Sequence, residues 1–175
     1  VLKAGAVFVV LSAATKAEKL QYLLNQCSAT CLVASQKRCG EVCAAADRLP
    51  HLRIIVGTGD VAEKATHESF KIASFTACIE QGDRTCAPPK RNIDVDLAAL
   101  IYTSASTGQS KGVMLTHLSM VTAAASITEY LQNTEDDIIL NVLPLFFDYG
   151  LYQVLMGFKV GGTVVMEKSF AYVHD

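Results

Sequence analysis

The sequence predicts an α/β fold with layered sheets and flanking helices. Short apolar runs of strand length alternate along the chain with segments that have helical periodicity. This alternation favours parallel pairing of strands with helices on the sheet faces. The chain has 175 residues, of which 51% are hydrophobic, and this is enough to bury a sizeable core.

The first half of the chain predicts three strands and three helices. The predicted strands are 6–11, 30–34 and 52–56, and the predicted helices are 16–26, 37–48 and 70–80. Leu20, Leu23 and Leu24 fall on one face of the first helix, and Thr15 is the candidate for its N-terminal cap. A polar segment with two prolines follows at 81–94, and we predict that it is a linker between two sub-sheets.

The second half repeats the alternation. The predicted strands are 96–102, 113–115, 137–143 and 163–166, and the predicted helices are 118–131 and 150–158. A loop rich in hydroxyl side chains separates the first two of these strands. We therefore expect the whole chain to form parallel-rich sheets covered by helices.

Composition argues against several classes of function. The chain has 15 basic and 17 acidic residues, which gives a net charge of −2. It contains no stripe of basic residues interleaved with aromatic ones. We therefore expect no nucleic-acid partner. Because no apolar run approaches the ~20 residues of a membrane helix, no membrane span is expected either.

The six cysteines show no metal-binding spacing. No C-x-x-C pair occurs, and no histidine stands at ligand spacing beside a cysteine pair. We interpret them as free thiols, which predicts a reducing, cytoplasmic location and gives no metal ligand.

The most informative segment runs from Tyr102 to His117. Directly after the apolar run 97–101, it places two threonines, three serines and a glycine ahead of Lys111. Small hydroxyl residues let a backbone approach an oligophosphate closely, and the lysine supplies positive charge. The predicted phosphate-binding residues are Thr103, Ser104, Ser106, Thr107, Gly108, Lys111 and Gly112. The alternative is a Ser/Thr-rich surface turn, and the spacing is not that of a Walker A loop.

The string Y-T-S-A-S-T-G-Q-S-K-G-V-M-L-T-H resembles the signature of the adenylate-forming superfamily. That superfamily includes acyl-CoA synthetases, nonribosomal peptide synthetase adenylation domains and luciferases. Two framework positions depart from it, Ala105 for glycine and Ser110 for proline. Segments 3–11, 143–150 and 161–165 also resemble the family and occur in family order.

The resemblance implies that residues 1–175 are part of the N-terminal domain of an AMP-forming acid–thiol ligase. Such an enzyme activates a carboxylic acid or an amino acid with ATP and Mg²⁺ to an acyl-adenylate. It then passes the acyl group to coenzyme A or a carrier phosphopantetheine. The resemblance implies that the loop 103–112 binds the ATP phosphates, with Lys111 as the catalytic residue, and it identifies no magnesium ligand here.

The two departures predict a working but looser phosphate loop. If the family glycine serves a left-handed backbone, then Ala105 costs about 1 kcal/mol. Ser110 lacks the rigidity of proline, which raises the entropy of the loop by a few tenths to ~1 kcal/mol. Neither change removes a predicted phosphate ligand.

Phe147 and Asp148 are the predicted substrate residues. A carboxylate among Phe146, Phe147 and Tyr149 is unusual if it faces a core. The resemblance implies that Phe147 lines an acyl pocket. It also implies that an aspartate after phenylalanine can contact the ammonium group of an amino-acid substrate. The alternative is that Asp148 caps the helix that starts near Gly150.

Three functional hypotheses follow. The leading one is a fragment of an acyl-CoA synthetase-like enzyme. A second is an amino-acid-activating adenylation domain that uses Asp148, and a third is a non-catalytic module that binds nucleotide or phosphate. The chain starts without methionine and lacks later motifs of the family. We therefore expect an internal fragment that needs the remainder of the same polypeptide for adenylation.

Overall fold

The structure is a computed structural model that describes residues 1–59, 68–82, 85–103 and 110–167. The chain divides into two compact units: unit 1 combines Val1–Ser12 with Pro88–Asp175, and unit 2 is Ala13–Ala87. The second boundary falls between Ala87 and Pro88, inside the segment 81–94. That this segment acts as a linker stays a prediction.

Unit 1 contains five strands, two α-helices and a 3-10 turn over Leu2–Ala4 among its described residues; the strands and α-helices follow in chain order. They are β1 (Phe8–Val9), β5 (Leu97–Thr103), β6 (Lys111–Thr116), α4 (His117–Leu131), β7 (Ile138–Asn141), α5 (Asp148–Val160) and β8 (Thr163–Met166). One sheet has the order β1-β5-β6, with β1 parallel and β6 antiparallel to the central strand. The parallel pair β7-β8 forms a second sheet, and α5 packs on both of its strands.

The core of unit 1 lies around the central strand β5. Ala98 and Ala99 are both fully buried, and the pairing of β5 with β6 shifts register between Leu97 and Ala99. Small side chains let the covering elements approach closely. Ile101 of β5, Met120 of α4 and Leu151 of α5 complete the buried cluster. This packing joins both helices to the strand that leads into the predicted phosphate loop.

Unit 2 is a parallel sheet with helices. Its elements are α1 (Ala17–Gln26), β2 (Cys31–Ser35), α2 (Gln36–Cys43), β3 (Ile54–Thr58), β4 (Lys71–Ser74) and α3 (Phe75–Gln81). The strand order is β2-β3-β4, and both pairs are parallel. Leu23 of α1 and Ile55 of β3 are among the most deeply buried side chains. The predicted α/β class, rich in parallel pairing, is therefore confirmed.

Three local predictions in unit 2 are wrong. The predicted helix 70–80 begins as strand β4, because Ile72 pairs beside Ile55 and the sheet overrides the helical propensity. Helix α1 is preceded by Lys16 at the N-cap, with no side-chain cap hydrogen bond, so Thr15 does not cap it. Helix α2 ends at Cys43, and a 3-10 turn over Ala46–Arg48 follows it.

Other predicted elements are present with shifted ends. The first strand is reduced to Phe8–Val9, and the predicted strand 137–143 is reduced to Ile138–Asn141. Strand β3 extends through Gly57 and Thr58, two residues beyond the predicted end at 56, because both residues continue the register with β2. Within the described ranges, no helix combines the length and the apolar character needed to cross a membrane.

Candidate functional site

The strands β5 and β6 form a hairpin that presents the predicted phosphate loop. Thr103 and Lys111 are the last cross-strand partners, so the chain between them is the hairpin connection. The loop residues Ser104, Ala105, Ser106, Thr107 and Gly108 lie outside the described residues. Thr103, Ser110, Lys111 and Gly112 are described and define how the connection is anchored.

The two residues at the mouth of this connection point the same way. Thr103 and Lys111 are directly opposite each other in an antiparallel pair, so their side chains share one face of the sheet. Both side chains are exposed. A hydroxyl donor and an ammonium group therefore stand side by side at the end of the hairpin, a combination that suits a phosphate oxygen.

Gly112 has a packing role beside Tyr102. The two residues are cross-strand partners, and a Cβ atom at Gly112 would stand 3.3 Å from Cε1 and Cζ of the Tyr102 ring. That separation is shorter than ordinary van der Waals contact, so the ring occupies the place of a side chain. The predicted phosphate-binding residue Gly112 thus lets the tyrosine lie across β6.

We expect Gly112→Val to destabilise the protein by about 1–3 kcal/mol, because its side chain overlaps the Tyr102 ring. Urea denaturation would measure the change in the free energy of unfolding. In a Tyr102→Leu background the same substitution is expected to cost less. Equal costs in the two backgrounds would contradict the packing role.

Helix α4 starts directly after β6. Thr116 is its N-cap and accepts a hydrogen bond from the Ser119 amide at 3.1 Å, so one free N–H of the first turn is satisfied. His117 is the first helical residue, one position before the predicted start at 118. Its Nε2 lies 3.0 Å from Asn92 Nδ2, within hydrogen-bond distance. This histidine therefore fastens the helix start to residue 92.

The second candidate site is the turn before α5. The Phe147 amide donates to the Pro144 carbonyl oxygen at 3.1 Å, and α5 then begins at Asp148. The N-cap is Phe147, not Asp148, so the alternative in which Asp148 caps a helix near Gly150 is wrong. The Asp148 carboxylate lies in the first turn and accepts from the Tyr149 amide at 2.8 Å, where the helix dipole favours negative charge.

This turn presents aromatic groups and one carboxylate to solvent. Phe147, Asp148 and Tyr149 are exposed, and Phe146 and Phe147 have ring centroids 4.7 Å apart. Burial raises the pKa of the Tyr152 phenol, and the negative charge of Asp148 raises it further. The surface around Asp148 is thus apolar with a local negative field, and it can accept an aromatic ring or a cation.

Both candidate sites belong to unit 1. Helix α4 packs against β6 and against α5, so the two sites share one packed scaffold. The sequence missed Asn141, the last residue of β7, which is fully buried and bonds to Leu143 and Gly150. The available signal was a single polar residue within an apolar run, just before Val142-Leu-Pro.

The sequence predicts no metal site built from protein side chains and interprets the cysteines as free thiols. Among the described residues, no three His, Cys, Asp or Glu side chains come together as a metal site would require. All six cysteines are free thiols. Burial raises the pKa of the Cys39 and Cys43 thiols, which keeps them protonated and unreactive near neutral pH.

Comparison with known proteins identifies the class. The family model described as "AMP-binding enzyme" matches residues 1–174. The 4-hydroxybenzoate–CoA/benzoate–CoA ligase of Rhodopseudomonas palustris is 33% identical over 168 residues, which cover 94% of this chain and 29% of the relative. The phosphinothricin tripeptide synthetase PhsC of Streptomyces viridochromogenes is 29% identical over 167 residues, covering 95% of this chain and 14% of the relative.

A solved structure of a CoA ligase has a fold similar to that of this chain. The crystal structure of the anthranilate CoA ligase AuaEII in complex with anthranoyl-AMP superposes with a TM-score of 0.81 at 25% identity, over 93% of this chain and 31% of that one. The chain belongs to the AMP-binding enzyme family. It spans less than a third of the length of the relatives named here.

Proposed function

We propose that this chain is part of an AMP-forming ligase that activates a carboxylic acid with ATP and transfers the acyl group to a thiol. The observation that carries the proposal is the end of the β5-β6 hairpin. There Thr103 and Lys111 stand as cross-strand partners on one face of the sheet, at the two ends of a Ser/Thr/Gly-rich connection. Family membership supports the same chemistry.

The hairpin fits the phosphates of ATP. In the first half-reaction the acid carboxylate attacks the α-phosphate, and pyrophosphate leaves. The departing group carries negative charge, so donors and a cation placed beside it stabilise the transition state. Lys111 supplies the cation, and Thr103 supplies a hydroxyl donor. Ser104, Ser106, Thr107 and Gly108 remain proposed ligands within the connection, and Mg²⁺ would add further positive charge to the phosphates.

The acid that we propose is an aromatic carboxylate. The first-named relative is a ligase of 4-hydroxybenzoate and benzoate, and the structural relative holds anthranoyl-AMP. In this chain the exposed rings of Phe147 and Tyr149 flank the start of α5. Such rings can pack against an aromatic substrate. The acceptor thiol that we propose is coenzyme A.

Acid-dependent exchange of pyrophosphate into ATP tests the proposed function in the full natural polypeptide. We expect benzoate and 4-hydroxybenzoate to stimulate exchange more strongly than any proteinogenic amino acid. Stimulation by an amino acid alone would overturn the choice of acid. The absence of exchange with every acid, in a protein that binds ATP, would favour a non-catalytic nucleotide-binding module.

Amino-acid activation is the second candidate, and Asp148 favours it. Its carboxylate is exposed, has one hydrogen bond to its neighbour's amide and keeps further acceptor positions. A substrate ammonium group could bind there. The similarity to a tripeptide synthetase is consistent with this alternative.

Asp148→Asn separates the two candidates. For benzoate or 4-hydroxybenzoate we expect kcat/KM to change less than about threefold, because neither acid has an ammonium group to pair with the Asp148 charge. An amino-acid substrate would lose a charge-assisted hydrogen bond of about 2 kcal/mol, a roughly 30-fold drop in kcat/KM. Asp136→Asn, which removes another exposed carboxylate of unit 1, is the control.

A further inference from the structure

The side chain of Asn141 is a buried amide at the end of an apolar strand. Its exposed fraction is 0%, and with Leu23 and Ile55 it is among the largest fully buried side chains. Burying an amide is costly unless its donors and acceptor find partners. The partners of Asn141 therefore show what the residue holds in place.

The amide bonds to both ends of the turn before α5. Oδ1 accepts a hydrogen bond from the Leu143 backbone amide at 3.0 Å, and Nδ2 donates to the Gly150 carbonyl oxygen at 3.0 Å. Nδ2 also lies 3.6 Å from Sδ of Met166 in β8. One side chain thus links the entrance of the turn, the first turn of α5 and the neighbouring strand.

Gly150 lets the backbone of residues 143 and 144 pack closely against the start of α5. A Cβ atom there would lie 2.5 Å from the Pro144 carbonyl oxygen and 2.8 Å from that of Leu143. The backbone of the turn consequently lies directly on the first turn of the helix. Because both of its ends are fixed, the turn between them has a defined shape.

The residues between these anchors are the proposed substrate contacts. Phe147 and Asp148 are exposed, and the Phe147 ring centroid lies 4.7 Å from that of Phe146 within the same segment. Their placement therefore depends on how the backbone at 143 and 150 is held. A buried amide that fixes both points sets the position of the two side chains without touching them.

We propose that Asn141 is a positioning residue for acid recognition: it holds the segment 143–150 so that Phe147 and Asp148 meet the acid. This inference rests on the proposed function, in which that segment contacts the acid. It assigns no contact between Asn141 and substrate, and none between Asn141 and the nucleotide phosphates. Its specific consequence is that acid binding depends on Asn141 while ATP binding does not.

Asn141→Leu keeps a similar volume and removes both hydrogen bonds. In the full natural polypeptide we expect KM for the acid to rise about tenfold or more, since small misplacements of contact groups weaken productive binding. KM for ATP is expected to stay within about threefold. The matched control is Thr128→Val, because Thr128 is also a buried polar residue of unit 1 but its hydroxyl bonds to the Ala124 and Ala125 carbonyl oxygens within its own helix.

Two further variants guard against a folding defect. Asn141→Ser is milder, and its short hydroxyl cannot bridge Leu143 and Gly150, so we expect an intermediate rise in the acid KM. Asn141→Asp should rescue binding. Burial favours the protonated carboxyl, which offers one donor and one acceptor in nearly the same positions as the amide.

The outcomes separate this inference from the proposed function. A selective rise in the acid KM, with faster hydrogen exchange at the Leu143 amide and no such change in Thr128→Val, supports the positioning role. Equal changes in both KM values, or an unchanged acid KM with the Leu143 amide exposed, would overturn it. Failure of the proposed function shows instead as wild-type protein that catalyses no exchange with any acid.

Discussion

Replacing Lys111 by alanine is expected to weaken ATP binding by about 10- to 100-fold, as the loss of one charge-assisted hydrogen bond predicts. The effect on adenylate formation should be larger, about 10²- to 10³-fold, because the leaving pyrophosphate carries more charge than bound ATP presents at that point. The physical basis is the position of this cation at the start of β6, opposite Thr103.

Calorimetric titration with Mg-ATP and with pyrophosphate, followed by exchange kinetics, measures both effects. Lys90→Ala is the matched control, since Lys90 is also an exposed lysine of unit 1 but lies outside the hairpin. The loss should shrink at high salt, where exposed charges are screened. If both lysine variants bound ATP equally well, Lys111 would have no role in phosphate binding.

Gly150→Ala is expected to destabilise the protein by about 2–3 kcal/mol, because two backbone carbonyl oxygens occupy the space that the new methyl group needs. The higher helical propensity of alanine stabilises α5 by about 1 kcal/mol, and the expected loss already includes this gain. The melting temperature should fall by roughly 5–10 °C. Since the turn must move to relieve the overlap, acid binding should weaken as well.

Gly40→Ala provides the control for this substitution. Gly40 lies inside α2, and apart from its chain neighbours and the nearby backbone of its own helix, no described atom comes within 4 Å of the Cβ position that alanine would occupy there. This change is expected to stabilise the protein by about 0.5–1 kcal/mol through helical propensity alone. Equal effects at positions 40 and 150 would show that the turn is free to yield, contrary to the close backbone packing.

Periodicity predicted the α/β class and most elements because apolar spacing follows directly from which faces are buried. It failed where pairing decided the outcome. Residues 71–74 have no strong strand pattern, and they become extended because β3 offers a free edge beside them. The predicted lengths of β1 and β7 were too long for a related reason: apolar residues continue beyond the last paired position.

For the candidate site, too, some features could be predicted from the sequence and others could not. The type and order of residues from Thr103 to Gly112 predicted a phosphate loop, and the structure shows how a hairpin brings Thr103 and Lys111 together. The sequence could not show that Gly112 accommodates the Tyr102 ring, because the pairing that aligns them is specified by the register of two strands. The role of Asn141 was hidden because its partners are backbone groups, which carry no residue identity.

Unit 1 is built from two segments that are separated in the sequence by unit 2, and this has a consequence for the order of folding. Strand β1 pairs with β5, yet all of unit 2 lies between them in the sequence. During synthesis the complete unit 2 emerges from the ribosome before β5 does, so its local parallel sheet can form first. The opening strand must wait for a distant partner, and closing that long loop is expected to be a slow step of maturation.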